Sequence, residues 1–195
     1  MTVPIRALDW KTEPDMTRIA PAVARHVAAY VEGYVDPERG TIYNSLRTDP
    51  TSFPTEAECL AEIPNSQGWF TAIEDHSLLS SWFLWSLARG VPGLDRESRR
   101  ALGSRLFHGA SLLWSIPGNS FVARGLVPGS RAFYQNSSLE QLPNFLRGIW
   151  AWSRSDLAAP AERELGAAIF RSVLKRLDQY DWTLTRFDGQ PSTGS

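Results

Sequence analysis

At 195 residues, the chain is long enough for one domain with a sizeable core. Its 20 basic and 21 acidic residues nearly cancel, so composition argues against binding to nucleic acid or to an anionic membrane. The single cysteine, Cys59, excludes an internal disulfide and a multi-cysteine zinc site. The opening MTVPIRALDW lacks the apolar core of a signal peptide, and no apolar run is long enough to span a bilayer, so a cytoplasmic protein is expected.

The first third of the chain contains one long helix and a long loop. Apolar residues at three- and four-residue spacing predict a helix over residues 17–35, which Pro37 and Gly40 end. Residues 36–70 then form a loop interrupted by a short helix at 56–63, with Thr55 as its N-cap. Loops longer than about 12–15 residues are uncommon in compact domains unless they carry function. This loop is therefore expected to contribute to a site.

Four long helices are predicted in the remainder, over residues 72–88, 97–115, 139–153 and 161–180. Asp95 is the predicted cap of the second, Ser138 and Gln141 form an S-x-x-Q capping box for the third, and Pro160 opens the fourth. Residues 181–189 are predicted to be extended, with a turn at Asp188-Gly189, and residues 191–195 to be a disordered tail.

The four helices alternate in polarity. Helices 72–88 and 139–153 are apolar on most sides and are predicted to be buried. Helix 161–180 has a wide charged face, and helix 97–115 keeps four basic groups for solvent: Arg99, Arg100, Arg105 and His108. Short links join each buried helix to its successor, which indicates antiparallel pairs. We therefore predict an all-α fold, a partial (α/α)6 toroid of antiparallel hairpins, as one incomplete domain over residues 1–190.

Candidate site residues cluster where the long loops enter the two buried helices. Glu74, Asp75 and His76 open the first of these helices. The carboxylates either complement the helix macrodipole or, for Asp75, act as a general acid or base in a partly apolar pocket. His76 is either a structural hydrogen-bonding group or a substrate contact. Trp69 precedes them and is either a core residue or a stacking platform for a sugar.

The second helix start offers a matching set. Glu140 either adds charge to the first turn or faces the pocket. Arg124 lies in the preceding loop, where its guanidinium either pairs with a nearby acid or binds a carboxylate of a ligand. Tyr134 and Asn136 are residue types suited to sugar hydroxyls.

Three segments resemble bacterial six-hairpin glycosidase-like proteins, the class that contains unsaturated glucuronyl hydrolases and related uronic-acid-processing enzymes. They are EDHSLL at 74–79, FVARG at 121–125, and YQNSSLEQ at 134–141 followed by GIW at 148–150. The resemblance covers residues 69–189. It implies an (α/α)6 barrel whose pocket binds a sugar between catalytic carboxylates. The position of Glu140 is usually Asp in that pattern, and the chain has about half the length of a complete barrel.

These expectations combine into one functional hypothesis and one alternative. The hypothesis is a glycoside hydrolase-like enzyme that acts on a uronate-containing oligosaccharide, with Asp75 and Glu140 catalytic. The substrate-binding residues would be Glu74, His76, Arg124, Tyr134, Asn136 and Trp69. No cofactor or metal is expected, because the sequence has no H-x-x-x-H or comparable cluster. The alternative is a non-catalytic helical scaffold or interaction module, and half a toroid is expected to self-associate through uncovered apolar edges.

Overall fold

The fold is all-α, as the sequence predicts. The computed structural model describes residues 15–192, apart from the side chains of Met16 and Pro50. The opening segment MTVPIRALDW and residues 193–195 of the predicted tail lie outside this range. Within that range there is no β-sheet, only two isolated bridges, Val35 with Ile42 and Thr185 with Pro191. The helices are α1 (Met16–Tyr34), α2 (Glu56–Leu60), α3 (His76–Arg89), α4 (Arg96–Ser115), α5 (Gln141–Arg154) and α6 (Pro160–Gln179).

Local capping chemistry explains most of these boundaries. The Asp95 carboxylate accepts the Ser98 N–H at 2.7 Å and starts α4. At α2, the Thr55 hydroxyl accepts the Glu58 N–H at 3.2 Å while the Glu58 carboxylate accepts the Thr55 N–H at 2.7 Å, which is a complete capping box. Pro160 occupies the first turn of α6, where its missing N–H leaves no bond unmade.

Helices α3 and α5 are parallel neighbours at the centre of the helical packing. Successive contacts advance along both helices in the same direction, from the Trp82–Asn144 hydrogen bond to the Trp85–Arg147 ring contact. Gly148 allows the closest approach, because a Cβ added there would lie 2.4 Å from the Ser81 Cα. Helix α4 packs against α3, and α6 packs against α5. These are the two helix pairings that the short links in the sequence predict.

Burial follows the predicted order of inner, outer, inner and outer helices with one departure, at α4. Helix α6 is the most exposed of the four, whereas the second half of α4 is as buried as α5. The cause is the segment after α1, which covers the outer side of α4: Gly109 packs directly against the Gly40 and Thr41 backbone. Arg105, predicted to face solvent, instead donates from Nη2 to the Asp36 carbonyl at 2.9 Å. His108 is exposed, as predicted.

The C-terminal segment returns to the loop before α5. The Phe187 N–H donates to the Gln135 carbonyl at 2.8 Å, and the predicted turn is present, with Gly189 in the left-handed region (φ 88°). Ser192, predicted to lie in a disordered tail, donates to Asn136 Oδ1 and to the Ser137 carbonyl, both at 2.7 Å. No helix in the described range is long and apolar enough to cross a bilayer.

Candidate functional site

Helix α3 begins at His76, four residues later than predicted. Residues 71–75 form turns instead, and Asp75 is the N-cap residue with no capping bond from its own side chain. The reason is tertiary, because Asn44 binds Asp75 from both sides: its Oδ1 accepts the Asp75 N–H and its Nδ2 donates to Asp75 Oδ2, each at 3.0 Å. The carboxylate is consequently free to make contacts outside the helix.

Asp75 is the centre of a hydrogen-bond network. Besides Asn44, its carboxylate accepts Gln141 Nε2 at 2.5 Å and Arg124 Nη2 at 3.3 Å, both on Oδ1. Its side chain nevertheless remains 27% exposed. Three separate segments therefore fix the orientation of one carboxylate that solvent can still reach.

Arg124 is buried, and its donors point into the protein. Nε donates to the Glu74 carbonyl at 3.0 Å, and Nη1 donates to Gln67 Oε1 at 3.1 Å and to Ser138 Oγ at 3.2 Å. Its side chain is only 4% exposed, so the predicted direct contact with a substrate carboxylate is not available in this structure. Of the two roles left open by the sequence, pairing with a nearby acid is the one observed. Desolvation lowers the pKa of Arg124, and the charge of Asp75 acts in the opposite direction.

Gln141 links the starts of α3 and α5. The Ser138 hydroxyl accepts the Gln141 N–H at 3.3 Å, which is one half of the predicted capping box. The other half is wrong, because the Gln141 side chain crosses to α3 instead. There its Oε1 accepts the Ser77 hydroxyl and the Leu78 N–H, the latter at 3.2 Å. The side-chain oxygen and nitrogen of Gln141 therefore both bind residues at the start of α3 and join the two helices. The capping prediction did not include this role.

Glu74 lies beside this network on a strained loop. Its carboxylate accepts the Phe70 N–H at 2.8 Å, and Phe70 has a left-handed backbone (φ 72°) with its ring 90% exposed. A bulky residue in that region is held there by its surroundings, and such strain concentrates at functional sites. Desolvation raises the pKa of Glu74, and the neighbouring charge of Asp75 adds to the effect.

Three further predicted contact residues are buried and point away from solvent. His76 is fully buried, its Nδ1 accepts the Leu126 N–H at 3.4 Å, and burial lowers its pKa to about 3. Tyr134 donates its hydroxyl to the Ile63 carbonyl, and Asn136 holds Ser66 and Ser192. In this structure the three residues hold the loops, which is the structural role left open for His76, and their substrate contacts stay predictions.

Two predicted residues remain accessible at the same end of the helices. Trp69 is 44% exposed beside Phe70, and Glu140 is exposed at the N-cap of α5. The charges of Asp75, Glu74 and Glu140 all oppose the lowering of the Arg124 pKa by desolvation, and of the three carboxylates Asp75 is the one that contacts the guanidinium directly. We call the accessible surface formed by Trp69, Phe70, Glu74, Asp75 and Glu140 the carboxylate mouth.

Sequence reasoning missed the residues that position this mouth. Asn44 lies in the predicted loop 36–70 with no motif around it, and Gln67 lies in the same loop. The position of Gln141 directly after Glu140 at a predicted helix start could have indicated a role in the site. The sequence analysis assigned its side chain to a capping box instead. Among the described residues no group of three or more His, Cys, Asp or Glu side chains could hold a metal ion.

No family model matches this chain, and it has no significant match among curated proteins or solved structures. The resemblance to six-hairpin glycosidases therefore stays a prediction from short motifs.

Proposed function

We propose that the carboxylate mouth is the active site of a glycoside hydrolase-like enzyme acting on an oligosaccharide. One observation supports this proposal: Glu74, Asp75 and Glu140 lie at the starts of α3 and α5, which Gln141 joins, and the Asp75 carboxylate accepts a hydrogen bond from the buried Arg124 guanidinium at 3.3 Å. Glycoside hydrolysis generally requires a carboxylic acid that donates a proton and a second carboxylate that acts as base or nucleophile. Paired carboxylates in different environments are suited to these two roles.

Glu74 and Asp75 differ in the way that such a division requires. Desolvation raises the pKa of Glu74, which favours a protonated acid. Asp75 is fixed by Asn44, Gln141 and Arg124, which suits a carboxylate that must be positioned against a reacting atom. This assignment moves the proton-donating role from Asp75, favoured by the sequence, to Glu74. The exposed rings of Trp69 and Phe70 supply flat apolar surfaces for a pyranose.

The preference for an acidic sugar rests on the resemblance and on the helix N-termini, which favour anions. The three carboxylates oppose it, and Arg124 is already paired with Asp75. We further propose that the α3–α6 arrangement is a segment of an α/α toroid, with the mouth at the end where the inner helices begin.

A non-catalytic scaffold is the second candidate, and the closed hydrogen-bond network favours it. Asp75, Arg124, Gln141 and Ser77 satisfy one another across α3 and α5. A network of that kind stabilises a fold without any substrate.

Activity assays with matched variants separate the two candidates. The full chain is incubated with uronate-containing oligosaccharides and their neutral counterparts, and the reducing ends released are measured. The enzyme proposal expects Glu74→Gln to lower turnover by roughly 10²–10⁴ with an unchanged melting temperature. Glu164→Gln, on the exposed side of α6, is the control and should leave both quantities unchanged.

Asp75→Asn and Glu140→Gln complete the set. The enzyme proposal expects Asp75→Asn to lose turnover while most molecules stay folded at the assay temperature. If no oligosaccharide is cleaved by the unmodified chain and Asp75→Asn only lowers the melting temperature, the scaffold is the correct function. If Glu140→Gln has full activity, Glu140 is removed from the mechanism.

A further inference from the structure

Tryptophan and arginine side chains cover one continuous side of α3, α5 and α6. Two guanidiniums contact the Trp85 ring, that of Arg147 at 4.3 Å and that of Arg89 at 5.2 Å from the ring centroid. Farther along α5, Arg154 lies 5.3 Å from the Trp150 ring. We call this surface the Trp–Arg face; its members are Trp82, Trp85, Arg89, Asn144, Arg147, Trp150, Arg154, Arg163, Ala167 and Phe170.

Helical geometry explains why these residues share one side. Asn144, Arg147, Trp150 and Arg154 recur at three- and four-residue spacing and therefore form a stripe along α5. On one flank, Trp82 Nε1 donates to Asn144 Oδ1 at 3.1 Å. On the other flank, Trp150 packs against Phe170 of α6 with ring centroids 5.4 Å apart.

The arginines of this face form no salt bridges with acidic side chains of the described residues. The salt bridges formed within residues 15–192 use Arg96, Arg124 and Arg186, and none uses Arg89, Arg147, Arg154 or Arg163. All four of these arginines are exposed. The local charge therefore contrasts with the net charge of −1 for the whole chain. An anionic partner would complement it.

A groove between α5 and α6 interrupts this surface. Its volume is about 440 Å³, and its lining includes the Trp150 and Phe170 rings, Gly166, Ala167, and the arginines Arg154 and Arg163. The size lies within the range of small-molecule and anchor-residue pockets. Arg163 uses Nε on the Ala158 carbonyl at 3.1 Å. The Trp150 and Phe170 rings would complement an apolar side chain of a partner, and Arg154 and Arg163 would complement carboxylates beside that side chain.

Exposed tryptophan and arginine are the residue types that dominate binding energy at protein interfaces. Trp82 is 50% and Trp150 53% exposed. A second copy of the chain is a poor occupant, because face-to-face contact would bring the four arginines of each copy together. A polyanion without apolar groups would pair with the arginines but would leave the apolar groove unfilled.

We propose that the Trp–Arg face is a docking surface for an acidic helical segment of a protein partner, which places one apolar side chain in the α5–α6 groove. Parallel and antiparallel helices leave shallow furrows between them, and amphipathic helices bind in such furrows through apolar anchors at three- and four-residue spacing. The length of α5, 14 residues or roughly 20 Å, accommodates three to four turns of such a segment. This proposal is independent of the carboxylate mouth.

Selection from an unbiased peptide library tests the proposal. A random peptide library displayed on phage is panned against the full chain, and the enriched peptides are synthesised with a fluorescein label for anisotropy titrations. We expect enriched peptides to combine several Asp or Glu residues with a Trp, Phe or Leu anchor. Their affinity should fall as salt is added. Enrichment of neutral or basic peptides, or no enrichment, overturns the proposal.

Variants then locate the binding on the chain. Arg154→Gln and Arg163→Gln should each weaken binding roughly tenfold, as expected for losing a hydrogen bond to a charged group. Ala167→Trp should abolish binding by filling the groove, and because Ala167 is exposed the variant is expected to fold. Arg171→Gln, which removes an exposed arginine of α6 outside the groove, is the matched control and should bind normally.

Two competitors distinguish other occupants. Heparin or single-stranded DNA that binds with equal affinity to the chain and to Ala167→Trp would show that the face attracts polyanions by charge alone, which overturns the anchored-peptide proposal. Concentration-dependent dimerisation in sedimentation that Ala167→Trp abolishes would identify a second copy as the occupant and would likewise overturn it.

Discussion

Replacing Gly148 by alanine tests the close contact between α3 and α5 on which the site geometry depends. The new Cβ would lie 2.4 Å from Ser81 Cα, 2.6 Å from Ser81 Cβ and 2.7 Å from the Ser81 carbonyl oxygen. Two of these atoms belong to the backbone, so no rotamer change of Ser81 relieves the overlap. Carbon atoms pack favourably at roughly 3.5–4.0 Å, so the helices must separate by about 1 Å.

The expected cost follows from two opposing terms. Overpacking in a well-packed contact costs about 1–3 kcal/mol. Alanine is a better helix former than glycine, which offsets up to about 1 kcal/mol. Because the clash is with backbone, we take the upper end of the overpacking cost, about 3 kcal/mol, and subtracting about 1 kcal/mol for helix propensity leaves a net loss of ~2 kcal/mol. For a chain of this size that loss lowers the melting temperature by roughly 4–8 °C.

Gly33→Ala is the matched control, since it makes the same chemical change inside helix α1. The Cβ there would meet only the Leu46 side chain, at 3.2 Å, and Leu46 is half exposed and free to move. The melting temperature, followed by circular dichroism, should therefore stay the same or rise for Gly33→Ala and fall for Gly148→Ala. Equal stability of Gly148→Ala and the unmodified chain would refute the predicted helix contact.

Three further predictions concern buried groups. Burial lowers the pKa of His76 from 6.5 to about 3, so below pH 6.5 the unfolded chain binds a proton that the folded chain does not. Between about pH 6 and pH 4, His76 should therefore lower the unfolding free energy by up to ~1.4 kcal/mol for each pH unit of acidification, and His76→Asn should remove that contribution in urea titrations; an identical pH slope would contradict it. Gln141→Leu leaves Ser77 and the Leu78 N–H without their acceptor, at a cost of about 1–3 kcal/mol by denaturant unfolding, whereas Gln179→Leu at the exposed end of α6 should be neutral; similar losses would argue against the cross-helix role. Burial also raises the pKa of the Cys59 thiol to about 11, so a thiol reagent at mildly alkaline pH should react slowly until denaturant is added, and fast reaction with the folded chain would count against its burial.

The helices could be predicted because their signals are local. The caps of α2 and α4 depend on Thr55 with Glu58 and on Asp95 with Ser98, pairs separated by three residues. Both partners of each bond lie within one helical turn, so the bonds do not depend on distant segments. The predicted starts of these helices therefore lie within one residue of the observed ones. The start of α3 was misplaced because its position depends on Asn44, which is 31 residues away from Asp75.

The candidate site could be predicted only in part, and for the same reason. The sequence assigned Glu74, Asp75 and Glu140 to the starts of two buried helices, where the structure also has them, with Asp75 hydrogen-bonded to Arg124. It did not determine which way Arg124 points. The local sequence around an arginine in a polar loop does not show whether its guanidinium binds a ligand or other residues of the chain. Here the guanidinium binds Gln67 and Ser138, which lie 57 and 14 residues away in the sequence.

By itself, the sequence determined the all-α class, the alternation of apolar and amphipathic helices, and the residues at the helix starts. Periodicity and capping decide these features over spans of a few residues. Only the tertiary structure decided exposure: it buried Arg124 and His76, left Asp75 partly open, and assembled the Trp–Arg face from three helices. Exposure is a property of which segments cover one another, and hydrogen bonds or contacts between residues far apart in the chain carry that information.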